Sequence, residues 1–175
     1  HHGARDMASP AAVLRALNAG LSARAQRGLF CTLCYIRLDL RTGAALCANA
    51  GHSAAIRVTG EASVSFGDAS GPPVGILPDG PWVDEPVTLA PGETILLYTD
   101  GIVEARTITT RVVESVSVPE QFDTDRLCAA ASRWYGQPPK ELVAAVYEAV
   151  RAFCAPALPH DDCTMVALRY LGHAD

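Results

Sequence analysis

The chain has 175 residues, 49% of them hydrophobic, and a formal net charge of −5. That is enough for one compact domain with a real core, and it is a globular composition rather than a disordered one. An acidic balance without any Lys/Arg run argues against nucleic acid or an anionic membrane as the first partner, and no uninterrupted apolar stretch of about 18 residues predicts a membrane-spanning helix.

In chain order, His1-His2-Gly3 reads as the end of a purification tag, so residues 1–8 are taken as a tag or disordered leader, 9–172 as one domain and 173–175 as a tail. Nothing at the start has the basic-then-apolar character of a secretory signal. Ser9-Pro10 opens a helix, with Ser able to cap and Pro suited to the first turn. Val13, Leu14, Leu17 and Leu21 form its expected apolar stripe, and Gly28 ends the segment. A strand over 29–40, the turn Arg41-Thr42-Gly43 and a second strand through Ala50 make a hairpin signature. Short strands are predicted over 54–58 and 62–66, followed by a Gly/Pro/Ser loop over 67–73. Residues 83–89 read as a strand, and Ile95–Tyr98 as a strongly apolar central strand. Residues 107–118 are β-branched without a clear partner and read as a variable loop or irregular strand. Helices are expected over 124–134 and 138–153, the second burying Leu142, Val143, Val146 and Val150. A last strand covers 163–171. Helix, several antiparallel strands, two helices and a strand predict an α+β or layered α/β/α domain with a mostly antiparallel sheet.

The six cysteines, Cys31, Cys34, Cys47, Cys128, Cys154 and Cys163, each sit in an apolar segment and are expected as buried core thiols in a reducing cytoplasm. Cys31 and Cys34 have the spacing of a zinc or redox motif, but on one strand they point to opposite faces. Trp82 and Trp134 read as packing residues.

Two places put a carboxylate at a strand end: Asp100-Gly101 after "TILLYT", and Asp161-Asp162 in "LPHDDCTMVALRYL". Both strands look central because both are nearly all apolar, so their ends can meet. Two close carboxylates repel unless a cation lies between them, and hard divalent cations prefer such oxygen ligands. The other reading is that these are ordinary Asp turns and caps. From the residues alone both stay open.

Four segments occur in one order: "ANAGHSAAI", "GPPVGILPD", "LLYTDGIVEA" and "HDDCTMVAL". The set resembles the metal-dependent protein phosphatases of the type 2C class, in the bacterial SpoIIE-like branch. The resemblance runs from about Ser9 to Leu171. It implies an αββα sandwich of mostly antiparallel sheets flanked by helices, with two Mn²⁺ or Mg²⁺ ions at one end. It assigns Asp100 and Asp161 as metal ligands and gives Asp162 the role of holding the loop. Thr99 would bond that loop, Gly101 would let the backbone leave a crowded site, and His52 could orient phosphate or water, a structural bond in its turn being the default. His160 adjoins Asp161, with a solvent-facing loop position as its default. No catalytic side chain is implied, since a metal-bound hydroxide would attack phosphoserine or phosphothreonine directly. The implied substrate is a phosphorylated regulatory protein of the anti-sigma-factor antagonist type, with a sensor or receiver domain upstream and a homodimer compatible.

One family element has no counterpart. The expected "Gly-Asp-Val-Ser-Gly-His-Gly", whose aspartate bridges two metals, does not precede Ser9; only "HHGARDMA" stands there, and Asp6 lacks the glycine context. Gly67-Asp68-Ala69-Ser70-Gly71 mimics it but runs straight into "PPVGILPD", so Asp68 reads as a loop residue. The domain is therefore expected to be N-terminally incomplete, or else a catalytically impaired module that binds a phosphoprotein or regulates a partner.

Overall fold

The computed structural model describes residues 9–24, 29–113 and 116–173. The expected leader with Asp6, the helix-ending Gly28 and the last two tail positions lie outside the described residues. The elements in order are α1 (Pro10–Arg24), β1 (Leu33–Leu38), β2 (Ala44–Ala50), β3 (Ala55–Val58), β4 (Ser63–Phe66), β5 (Glu85–Thr88), β6 (Thr94–Tyr98), α2 (Asp100–Val103), β7 (Arg106–Val113), β8 (Val116–Gln121), α3 (Asp123–Ser132), α4 (Pro139–Cys154) and β9 (Met165–Arg169). All named strand pairs are antiparallel. The described residues form two compact units, one within His1–Ala54, Gly67–Ala90 and Gly172–Asp175, the other within Ala55–Phe66 and Pro91–Leu171.

The first unit sets α1 against a sheet of order β1-β2-β5. Ser9 begins the helix as expected, its Oγ accepting from Ala12 N at 3.2 Å, and Asp84 Oδ1 accepts from Ala11 N at 2.7 Å. The buried face differs from the expected stripe. It runs Ala11, Leu14, Asn18, Leu21, while Leu17 is 48% exposed. An asparagine can occupy that face because every group of its amide is used. Asn18 Nδ2 donates to the carbonyls of Leu77 and Pro78 at 2.9 and 2.8 Å, and Oδ1 accepts from Gly75 N at 2.7 Å. The predicted strand over 29–40 shortens to Leu33–Leu38. Its first part pairs elsewhere: Cys31 N and O bond Val74 O and N at 3.0 and 2.9 Å. The turn after β1 is closed by Asp39, whose carbonyl accepts from Gly43 N at 2.8 Å, and Gly43 has the positive φ of 73° such a tight turn needs.

The second unit holds a sheet of order β4-β3-β6-β9, the hairpin β7-β8, and helices α2, α3 and α4. β6 is central, as expected, and largely buried. β9 is not: it stands at the sheet edge, with Val166 and Leu168 at 55% and 47% exposure. An apolar sequence is no guarantee of burial on both faces. The segment expected as a partnerless loop is a hairpin in which each β-branched run is the other's partner, Val113 facing Val116. α4 buries Leu142, Val146, Val150 and Cys154, one residue per turn, with Val143 half-buried beside them. Each of the fully buried Leu142, Val146 and Val150 contributes about 1.5–3 kcal/mol of burial, which anchors α4 over β9 and β7. Trp82 and Trp134 pack in their respective cores as expected.

Candidate metal centre

The antiparallel pairing of β6 and β9 decides where the carboxylates go. Tyr98, the last residue of β6, faces Met165, the first of β9. The exit of one strand therefore lies beside the entry of the other, although only one of the two strands is central. Thr99 extends the ladder, its N–H donating to Thr164 O at 3.0 Å. Its hydroxyl then works twice, accepting from Thr164 N at 3.0 Å and donating to Asp162 O at 2.9 Å.

Past Thr99 the backbones touch. A Cβ on Gly101 would stand 2.5 Å from Asp162 O and 3.4 Å from the carbonyl carbon of Asp161. Gly101 is buried, and the close approach, not an unusual φ, is what calls for glycine here. Asp100 begins the one-turn helix α2, an element the sequence reading did not anticipate. Its carbonyl accepts from Glu104 N at 2.8 Å. Ile102 of α2 is fully buried and joins the core of this unit.

Thr99, Asp100, Gly101, Asp161 and Asp162 thus share one end of β6 and β9. Asp100 and Asp161 are exposed, and each commits one oxygen locally. Asp100 Oδ1 accepts from Gly101 N at 3.0 Å, and Asp161 Oδ1 accepts from Asp162 N at 2.7 Å. Their second oxygens have no hydrogen-bond partner among the described residues. Cys163, which the sequence reading passed over as a core thiol, stands among them: Sγ donates to Gly101 O at 3.4 Å. Burial pushes its thiol up, with Cys154, Asp161 and Asp162 acting in the same direction.

In chemistry this donor set suits a hard cation. Mg²⁺ is commonly held by one or two carboxylates, with waters and a substrate phosphate completing its six oxygens. Among the described residues no group of three or more His, Cys, Asp or Glu converges. A cation at this end of the sheet would draw on Asp100 and Asp161 for protein oxygens and take its other ligands from water or substrate.

The other candidates are built differently. Asn49 is 1% exposed, and its amide closes the turn before His52. Nδ2 donates to His52 O at 2.9 Å and Gly67 O at 2.7 Å, and Oδ1 accepts from His52 N at 2.8 Å. Gly51 has φ 71°, and a Cβ there would meet Pro73 at 2.8 Å. The Asn-Ala-Gly-His element is thus a structural turn, and Asn49 is its hub. His52 is half-buried, with Nδ1 3.4 Å from Thr32 Oγ1. Asp68 and His160 are exposed loop residues.

Residues 1–171 match the family model of Stage II sporulation protein E, SpoIIE. The chain belongs to the SpoIIE family. Protein IcfG of Synechocystis sp. is 25% identical over 140 residues, 80% of this chain but 20% of that protein. The SiaA-PP2C domain of Pseudomonas aeruginosa matches in structure with a TM-score of 0.73 at 21% identity, over 93% of this chain and 61% of that one. The manganese-presoaked SpoIIE phosphatase domain of Bacillus subtilis gives a TM-score of 0.66 at 20% identity, over 93% and 67%. The RsbU and RsbW domains of Rv1364c from Mycobacterium tuberculosis give 0.70 at 23%, over 95% and 44%. The fold, a mixed α/β arrangement of antiparallel sheets and helices, is that of the PP2C phosphatase domains.

Proposed function

We propose that the chain is a metal-dependent phosphatase domain that hydrolyses phosphoserine or phosphothreonine on a regulatory protein of the anti-sigma-factor antagonist type. The observation that supports this reading is that the end of β6, which leads into Asp100, lies beside the start of β9, which follows Asp161-Asp162, with Thr99 Oγ1 bonded to Asp162 O and Gly101 packed against the Asp162 carbonyl. Membership of the SpoIIE family supports the class of reaction.

On this reading Asp100 and Asp161 hold Mn²⁺ or Mg²⁺ through their uncommitted oxygens. The bound cation would lower the pKa of a water and offset charge on the phosphoryl group. The protein's own part is positional. Thr99 ties the strand ends together, Gly101 lets the backbone pass close to the Asp162 carbonyl, and Asp162 serves the loop through that carbonyl. The domain would act in the cytoplasm, behind a sensor or receiver module, with a homodimer compatible.

The second reading, a catalytically impaired module that binds a phosphoprotein, draws on the lack of a third converging ligand among the described residues. Phosphate release from a phosphoserine protein substrate, measured with Mn²⁺ for the parent and Asp100→Asn, separates the two. Robust release that the variant loses supports the phosphatase; an inactive parent that still binds the phosphoprotein supports the module.

A further inference from the structure

The first unit contains a dithiol that the phosphatase reading does not use. Cys34 on β1 and Cys47 on β2 place their sulfurs 3.7 Å apart. The register explains why. Cys34 faces Asn49 and Ile36 faces Cys47, so the two cysteines are diagonal neighbours on one face of the hairpin. The opposite face, with Leu33, Tyr35, Ala48 and Ala50, is the one packed with α1. Cys31, whose spacing to Cys34 suggested a motif, is exposed and is neither a core thiol nor the partner of Cys34.

Cys47 is fully buried and has little freedom to turn away. A Cβ on Gly67 would stand 2.5 Å from its sulfur, so the Gly67 backbone walls off one side. Cys34 is half-buried and is the sulfur an oxidant can reach. The shared S–H hydrogen bond holds Cys34 below the ordinary thiol range. That bond and burial push Cys47 up. One sulfur is thus suited to attack an oxidant, and the other to resolve the product.

We propose that Cys34 and Cys47 are a peroxide-sensitive modification site that closes to an intramolecular disulfide. In the first step the Cys34 thiolate attacks hydrogen peroxide. An S–O bond forms, the O–O bond breaks, and the departing hydroxide takes up a proton to become water. In the second step the Cys47 sulfur attacks the Cys34 sulfenic acid. The S–S bond forms, the S–O bond breaks, and a second water leaves with the Cys47 proton. Two thiols are oxidised and one peroxide is reduced to two waters. The sulfurs must approach by roughly 1.6 Å to reach a bond of about 2.05 Å. Diagonal neighbours on a hairpin stand about 7–8 Å apart, beyond the usual disulfide span, so closure requires the β1 and β2 backbones to shift toward one another as well as a rotation of Cys34. The cross-link would join β1 to β2 two residues before Asn49, the hub of the following turn.

The test treats the full chain with hydrogen peroxide, blocks free thiols with an alkylating agent under denaturing conditions, and maps tryptic peptides. Cys34 lies in peptide 28–37, together with Cys31, and Cys47 in peptide 42–57. The expected result is a product lighter by two hydrogens that links these peptides and opens with dithiothreitol. It should persist in Cys31→Ser and vanish in Cys34→Ser. Loss of Cys34 alkylation should match loss of Cys47 alkylation one for one. A link that survives in Cys34→Ser assigns the chemistry to Cys31 and overturns the proposal. So does Cys34 sulfinic acid formed while Cys47 stays alkylatable, or an unoxidised pair. The parent and the exposed-site variant Cys31→Ser carry the test even where Cys34→Ser disturbs the hairpin.

Discussion

Two strand ends in this molecule carry short polar turns, and they use their side chains in opposite ways. At the end of β2, Asn49 is buried and all three polar positions of its amide are consumed by His52 and Gly67. At the end of β6, Asp100 is exposed and keeps one oxygen uncommitted among the described residues, as does Asp161 across the strand pair. A buried, saturated side chain has nothing left to offer a ligand, and removing it leaves its partners unpaired. An exposed, half-satisfied carboxylate contributes little to folding and retains the lone pairs a cation needs. The two turns should therefore fail differently when mutated, one in stability and one in function.

The largest effect is expected at Asp161. Asp161→Asn keeps an Oδ1 acceptor for Asp162 N but removes the charge, so the loop bond at 2.7 Å survives while the cation loses an anionic ligand. Mn²⁺-dependent phosphate release should fall by at least about 100-fold, while urea-unfolding stability changes by no more than about 0.5 kcal/mol. A stability loss comparable to that at Asn49 would erase the contrast. Asn49→Ala is its mirror. It strips partners from His52 N and from the His52 and Gly67 carbonyls, and should cost about 2–4 kcal/mol by the same unfolding measurement. A cost under about 0.5 kcal/mol would mean that solvent replaces the amide, and that the turn is not the closed structural unit described here.

Gly101→Ala attacks the second turn through its backbone. The backbone conformation suits alanine, but the new Cβ would lie 2.5 Å from the Asp162 carbonyl oxygen, an atom that already accepts from Thr99 Oγ1. Relief requires the Asp161-Asp162 segment to move away from Asp100. The expected cost is about 1–3 kcal/mol in unfolding, with weaker Mn²⁺ binding in a direct titration. A variant of unchanged stability and unchanged Mn²⁺ affinity would show that the two strand ends need not be in contact.

How much of this was legible in sequence differs between the turns for a physical reason. Asp100 and Asp161 stood out as carboxylates at the ends of apolar strands, and the antiparallel ladder puts those two strand ends beside one another. The reason first offered, two central strands, fails for β9, whose Val166 and Leu168 are about half exposed. The pairing rather than the burial brings the ends together. Asn49 did not stand out, since an asparagine beside a glycine is ordinary turn chemistry and its burial depends on Gly67, eighteen residues on. Asn18 hid in α1 for the same reason: its partners at Gly75, Leu77 and Pro78 are remote in sequence. The β7-β8 hairpin was missed because β-branched runs reveal strand preference but not partners. Apolar spacing located the buried side of α4 well, at Leu142, Val146 and Val150, whereas in α1 the remote partners of Asn18 overrode the apolar stripe.

The smallest effect expected is at Thr99, and it separates tying the strand ends together from merely filling space. Its hydroxyl donates to Asp162 O at 2.9 Å and accepts from Thr164 N at 3.0 Å, so a shape-matched valine loses both bonds at once. Each neutral bond is worth about 0.5–1.5 kcal/mol net. The site is near solvent, and water can reach the released groups, so Thr99→Val should cost about 1–2 kcal/mol. Thr99→Ser keeps the hydroxyl and should stay within about 0.5 kcal/mol of the parent. The sharper readout is the Mn²⁺ half-saturation concentration for phosphate release, which valine should raise and serine restore. If valine weakens folding while leaving half-saturation unchanged, Thr99 closes the ladder without setting the spacing between Asp100 and Asp161.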